Sequence, residues 1–184
     1  MKTRRIHITG ASGAGVTSLG RGLADALAIP HHDTDDYFWQ PTIPPYQKPR
    51  EIADRLRLMD ELFLPRAHWV LSGSLDGWGD GLIPRFDLVV FLRTSRDLRL
   101  QRLRARESRR FGADAVAPGG WRHPELEEFI AWASRYDDGG LDVRSLEKHQ
   151  AWLAKLPCPV LRLDGSRALP ELVKDVVAAI TPAK

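Results

Sequence analysis

Gly10-Ala11-Ser12-Gly13-Ala14-Gly15-Val16-Thr17-Ser18 stands between a short alternating run, Arg5-Ile6-His7-Ile8-Thr9, and a leucine-spaced one. It meets the phosphate-loop pattern G-x-x-x-x-G-K-[ST] at Gly10, Gly15 and Thr17, and departs from it at one position, where Val16 stands for lysine. Residues 5–9 read as a strand. Residues 17–28 read as a helix, because Leu19, Leu23 and Leu27 recur at i, i+4 and i+8. The glycines therefore lie where a strand feeds a helix N-terminus, and free N–H groups and the helix dipole make an anion site there. Ser12, Gly13, Ala14, Gly15, Val16 and Ser18 would present backbone N–H groups. Thr17 would place its hydroxyl on Mg²⁺. The loop keeps its nest and loses its cation.

Two other readings compete for the same stretch. One is a glycine-rich turn with no ligand. The other is a dinucleotide fold, since Thr9-Gly10-Ala11-Ser12 is similar to the start of short-chain dehydrogenases. That pattern needs glycine at 14 and 16, where Ala14 and Val16 stand. The G-x-G-x-x-G fingerprint fails at Ser18, and no Tyr-x-x-x-Lys occurs.

Working outward, residues 29–33 read as a second strand or an extended turn, and 69–72, 86–92 and 160–163 as further strands, the run at 86–92 being apolar enough for a buried parallel one. Helical spacing covers 51–64, 95–110, 124–136, 144–156 and 169–180, and residues 40–50 and 112–120 read as loops. Alternating strands and helices predict an α/β fold with a parallel sheet. The 184 residues suit one domain. A net charge of +3 suits an anionic small molecule and does not argue for nucleic acid. The single Cys158 excludes an internal disulfide and fits a reducing cytoplasm, with a buried structural thiol expected rather than a nucleophile. No signal peptide and no 18-residue apolar run are seen, so no membrane is expected.

Beyond the loop, three stretches carry chemistry. His31-His32-Asp33-Thr34-Asp35-Asp36 follows the second strand at the edge where open sheets bind ligands. If it stays extended, Asp33 and Asp35 share a side and divide metal binding and general-base work, in an order the spacing leaves open; a solvated acidic loop is the plain alternative. A zinc site from His31, His32 and Asp33 is disfavoured, because adjacent ligands point apart in a strand. The third strand ends at Ser72-Gly73-Ser74 where an acid is expected, and the nearest acids are Asp76 and Asp80. Trp39 and Trp78 read as packing residues that could also stack on a ring. After the fourth strand, Arg99, Arg102, Arg106 and Arg109 form one helical stripe, with Arg110 beside it. Arg99 is expected on a solvated face. Arg102, Arg106, Arg109 and Arg110 are candidates for phosphate, and one of them could replace the lost lysine. Of the lysines away from the termini, Lys48 is the one expected near the loop.

Together these stretches resemble the nucleoside-monophosphate-kinase and shikimate-kinase branch of P-loop proteins, along nearly the whole chain. Asp33-Thr34-Asp35 resembles the Asp-Thr-Asp of shikimate kinases. Residues 102–110 resemble the start of a mobile lid. Leu163-Asp164-Gly165-Ser166-Arg167-Ala168 resembles the last strand and the loop bordering adenine. The chain is also similar to uncharacterised adenylate-kinase-like ATPases that lack the P-loop lysine. The resemblance implies a three-layer P-loop NTPase fold with a parallel five-stranded sheet, as a single domain over 1–184. It implies a substrate insert at 38–65 and a lid at about 106–140. It implies ATP and Mg²⁺ as cofactors, Arg167 near the nucleotide, and a kinase acting on a small-molecule hydroxyl or phosphate acceptor, as monomer or homodimer. The Asp-x-Asp element favours a hydroxyl. The rival expectation is a nucleotide-binding sensor or interaction module without efficient transfer, because losing one charge donor costs on the order of 10²–10³ in rate.

Overall fold

The computed structural model describes residues 4–181. Five strands pair in parallel in the order β2-β3-β1-β4-β5: β1 (Arg4–Gly10), β2 (His31–Asp33), β3 (His68–Ser72), β4 (Leu88–Arg93) and β5 (Val160–Asp164). This is the open α/β sheet that the alternating pattern predicts. β1 is central, so the turn leaving it sits at the middle of the sheet's C-terminal edge.

Strand alternation divides the core in two. Ile6, Ile8, Val70, Leu88, Val90 and Leu92 face α1 (Val16–Leu27) and α8 (Leu169–Ile180), meeting Leu19, Leu23, Leu172 and Val176. Leu19 and Leu23 are fully buried, each stabilising the fold by roughly 1.5–3 kcal/mol. Trp69, Leu71, Val89 and Phe91 face the opposite layer, where Met59 and Phe63 come from α3 (Ile52–Leu62) and its end, and Leu153 comes from α7 (Leu146–Leu153). A third, smaller cluster joins Leu103 of α4 (Arg96–Phe111) to Leu126, Ile130 and Ala133 of α6 (His123–Ser134).

Three local expectations change. Residues 34–38 form a short helix, α2 (Thr34–Phe38), instead of continuing the strand, because the Asp33 carboxylate caps it by accepting from the Asp35 N–H at 3.1 Å. The stretch at 112–120 contains one further turn of helix, α5 (Ala113–Val116). The helix expected from 144 starts at Leu146, where Ser145 caps the Lys148 N–H and leaves Arg144 outside the helix. No helix among the described residues is long and apolar enough to cross a membrane.

Arg99 is a plain reversal. The expected solvated guanidinium is fully buried: it donates to the carbonyls of Thr94 and Ala133, pairs with Asp137, and lies over the Tyr136 ring. A guanidinium is tolerated in a core only when its donors are satisfied and its charge paired; here the Thr94 and Ala133 carbonyls take donors, and Asp137 of the 3₁₀ turn Arg135–Asp137 pairs the charge.

Two histidines are buried in neutral form. Burial lowers His7 to about 4 and His149 to about 3; His7 Nδ1 meets the Leu71 carbonyl and His149 Nδ1 the Tyr136 hydroxyl. Their protons are taken up on unfolding, so stability falls as pH drops below 6.5 and the loss continues to about 4 for His7 and about 3 for His149. Each contributes about 1.4 kcal/mol per pH unit inside that window. Urea titrations at pH 7, 6, 5 and 4 should show this decline, with a shallower slope in His149→Gln.

Candidate phosphate and acceptor site

The loop closes as an open anion nest. Gly13 and Gly15 have φ of 80° and 100°, a region that side chains avoid. Gly15 is the N-cap of α1, no side chain caps that terminus, and no acid occupies its first turn. The first N–H groups of α1 are therefore left for a ligand. Ser12 is half-buried in the turn, and Ser18 is exposed on the first turn of α1.

Val16 is not an idle replacement. It is buried with Ile6, Ile8, Ala14 and Leu19 in the core under α1, packed close against Gly10. The position that would carry a lysine is spent on apolar packing.

Beside the loop, Thr17 Oγ1 donates to Asp33 Oδ2 at 2.8 Å, and Ser72 Oγ reaches the same oxygen at 3.4 Å. Ser72 also meets His31 Nε2 at 2.8 Å. Two hydroxyls and one carboxylate converge, an oxygen donor set suited to a hydrated Mg²⁺. The acids named from sequence near Ser72 are used elsewhere: Asp76 pairs with Lys148, and Asp80 accepts from Trp152. His32 turns away to Tyr37 and stacks on Phe63, and burial lowers it to about 4. Among the described residues no three His, Cys, Asp or Glu side chains cluster as a metal cage. Cys158 is half-buried, and burial raises its thiol pKa, as suits a structural residue.

Asp35 lies on α2, two residues beyond the cap, so Asp33 and Asp35 do not share a strand face. Asp33 turns to Thr17, while Asp35 lines an open cleft of about 450 Å³ with Asp36, Trp39, Gln40, Thr42 and Tyr46. Asp35 keeps solvent contact, yet protein surrounds it closely. Desolvation, then the Asp33 charge, raise its carboxyl above 3.8, while Arg144 and Arg106 pull it back. Trp78 is buried in the core, and Trp39 reaches the cleft.

The arginines separate. Arg102 Nη1 donates to the Gly165 carbonyl at 2.9 Å and the Ala14 carbonyl at 3.4 Å, against the loop. Arg106 pairs with Glu107 and acts on Asp35 through its charge. Arg110 donates to the Tyr46 hydroxyl at the cleft rim, and Arg109 is exposed. Arg167, expected near the nucleotide, is held by Glu171 and Asp175 of α8 instead, where two carboxylates are in reach. Lys48 is exposed in the 40–50 loop.

One residue that the sequence reading passed over reaches the loop. Arg144 Nη2 donates to the Gly10 carbonyl at 2.7 Å. It lies 134 residues away in sequence, and no motif marks it.

No family model matches the sequence. The uncharacterised protein YqaC of Bacillus subtilis (strain 168) is 42% identical over 174 residues, covering 95% of this chain and 96% of that protein. The chain belongs to the YqaC family. Among solved structures, shikimate kinase from Acinetobacter baumannii in complex with shikimate aligns with a TM-score of 0.57 at 18% identity, over 97% of this chain and 93% of that one. A gluconokinase from Sinorhizobium meliloti 1021 aligns at 0.54 and 20%, over 96% and 91%. At these identities the likeness shows the fold, which is that of the P-loop kinases.

Gly13 is the sharpest local test of the nest. A methyl there would stand 2.6 Å from the Arg99 carbonyl oxygen at a φ of 80°. Gly13→Ala should lower the unfolding free energy by about 1–3 kcal/mol. Gly81→Ala, with nothing within 4 Å, should stay within about 0.5 kcal/mol in the same urea titration.

Proposed function

We propose that the chain is an ATP-dependent phosphotransferase for a small-molecule hydroxyl, with 38–65 as acceptor insert and about 106–140 as lid. The observation that carries this reading is the division of labour between two acids. Asp33 is bonded to Thr17 at the helix N-terminus, and Asp35, two residues on, faces the cleft. Metal-holding and proton-accepting groups thus stand side by side with different partners.

In this reading the α1 N-terminus and loop N–H groups hold the phosphates of ATP. Thr17, Asp33 and Ser72 would hold Mg²⁺, which when bound offsets phosphate charge. Asp35 accepts the proton of the acceptor hydroxyl as its oxygen bonds to the γ-phosphorus. The bond to the β–γ bridging oxygen breaks, and ADP carries that oxygen away. Arg102 steadies the loop, and Arg106 restrains the basicity of Asp35.

The cleft also describes its acceptor. Asp35 and Asp36 line it with aromatic and apolar groups, and no lysine or arginine is among its lining residues. An anionic acceptor would meet two like charges in the lining, with arginine charge only from the rim and beyond it, at Arg110, Arg106 and Arg144. A neutral or cationic hydroxyl compound, with a ring that packs on Trp39, fits. Val16 supports the competing reading, a nucleotide sensor that binds without transfer.

ATP turnover against neutral sugars, polyols, amino alcohols and hydroxy acids separates these readings. Transfer to a neutral or amino compound, at least tenfold faster than to a hydroxy acid, is expected. Asp35→Asn should lower kcat by about 10²–10⁴. Nucleotide binding without turnover on the whole panel would favour the sensor.

The pH profile tests Asp35 itself. Its ionised form is the base, so activity should rise with pH through a limb lying above 3.8. Arg106 lowers that carboxyl, so Arg106→Gln should move the limb upward. A limb that stays in place would remove Asp35 from the base role.

A further inference from the structure

We propose that Arg144 supplies the cation that position 16 lacks, contacting the phosphoryl group in transfer. This rests on the phosphotransferase reading and adds a residue to it.

The argument begins with Val16. Its side chain packs against Gly10, the residue at which β1 enters the loop. Arg144 reaches that same residue from the far end of the chain, donating to its carbonyl at 2.7 Å. The guanidinium also acts electrostatically on Asp35. It is therefore bonded to the first residue of the loop and close enough to the acid for its charge to act there.

The state of the guanidinium points the same way. Its Nε is buried and has no hydrogen-bond partner. None of the ion pairs among the described residues includes it. A half-buried arginine with one carbonyl acceptor and a spare buried donor gains when an anion meets it. Compare Arg99, whose donors are spread over two carbonyls and Asp137. Arg99 is satisfied by the protein; Arg144 has donor capacity left over. Phosphate is the anion the loop beside it is shaped to hold, and the planar fork suits a phosphate edge.

The anchoring is rigid enough to matter. Ser145, fully buried, donates to the Gly140 carbonyl and caps α7. Trp132 lies 6.0 Å from the guanidinium carbon on the other flank. Arg144 is thus held by a capped helix start and not by a free loop tip. The other arginines are engaged differently: Arg102 with Gly165 and Ala14, Arg106 with Glu107, Arg110 with Tyr46.

The experiment measures Mg²⁺-dependent ATP and ADP binding by calorimetry, then turnover with the best acceptor. It compares wild type, Arg144→Met, Arg144→Gln, and Val16→Lys in the Arg144→Met background. Arg144→Gln keeps a donor for the Gly10 carbonyl without the charge, so it answers if Arg144→Met does not fold. Removing the cation should weaken ATP at least tenfold more than ADP and lower kcat by about 10²–10³. Val16→Lys should restore at least tenfold of that loss, which a merely structural role for Arg144 would not allow. Wild type that binds ATP, with folded Arg144 variants that bind and turn over within twofold of it, overturns this inference and leaves the phosphotransferase reading standing. Wild type that binds no nucleotide overturns both.

Discussion

Six residues, Gly10–Gly15, are held from outside by their own carbonyl oxygens. Thr94 Oγ1 and Arg102 both donate to the Ala14 carbonyl, and Arg144 donates to the Gly10 carbonyl. These donors come from the end of β4, from α4 and from the approach to α7. With the Gly10 and Ala14 carbonyls engaged behind it, the loop is fixed in shape; the Ala14 N–H, expected to face a ligand, turns inward to the Ala11 carbonyl at 3.0 Å, because the turn closes on itself there. A nest of amides is useful for anion binding only if it does not have to be reorganised when the anion arrives. The central position of β1 puts this constraint in the middle of the sheet edge, and the other site elements are arranged around it.

Val16 takes on a different meaning in that setting. A lysine at 16 would leave the core at its base and send a charge over the loop. Valine keeps the buried base and gives up the charge. The apolar contribution stays in the cluster under α1, while positive charge enters from segments beyond α4. A cation brought by a separate segment is coupled to where that segment sits, which a cation built into the loop is not. In this protein the charge around the Gly10–Gly15 loop and the packing of the 106–144 region are one problem. Arg99 shows the structural side of it, pinning α4 to the Arg135–Asp137 turn, and Arg144 follows seven residues after that turn.

The acidic stretch shows how a small change in local geometry gives two neighbouring acids different surroundings. With Asp33 capping α2, its two carboxylate oxygens divide between the Asp35 N–H and the Thr17 hydroxyl. The cap turns the chain, so Asp35 leaves the cluster of Thr17, Asp33 and Ser72 and lines the cleft. Had the strand continued, both acids would have lain on one side, in like-charge conflict.

The sheet was legible in the sequence because its signals are local: an alternating run for β1, apolar runs for β3 and β4, and leucine spacing for α1. The loop was legible for the same reason, since glycines at fixed spacing between strand and helix describe a shape. Thr17 and Asp33 were legible as types but not as partners. Arg99 was misread because a helical stripe says which side chains share a face and nothing about what covers that face. The helical turn at α2 was missed because a three-residue strand has too little periodicity to mark its end. For Arg167 the sequence showed its place after the last strand but not its ion pairs with Glu171 and Asp175. Arg144 carried no signal, as its meaning lies in a contact across 134 residues. By itself, then, the sequence determined the parallel α/β architecture and the phosphate-shaped loop, which follow from short-range backbone geometry and hydrophobic spacing. The tertiary structure decided which acid meets the loop hydroxyl, which faces the cleft, and which arginine stands by Gly10. Those outcomes depend on long-range packing, where each charge goes to the nearest partner that offsets its desolvation.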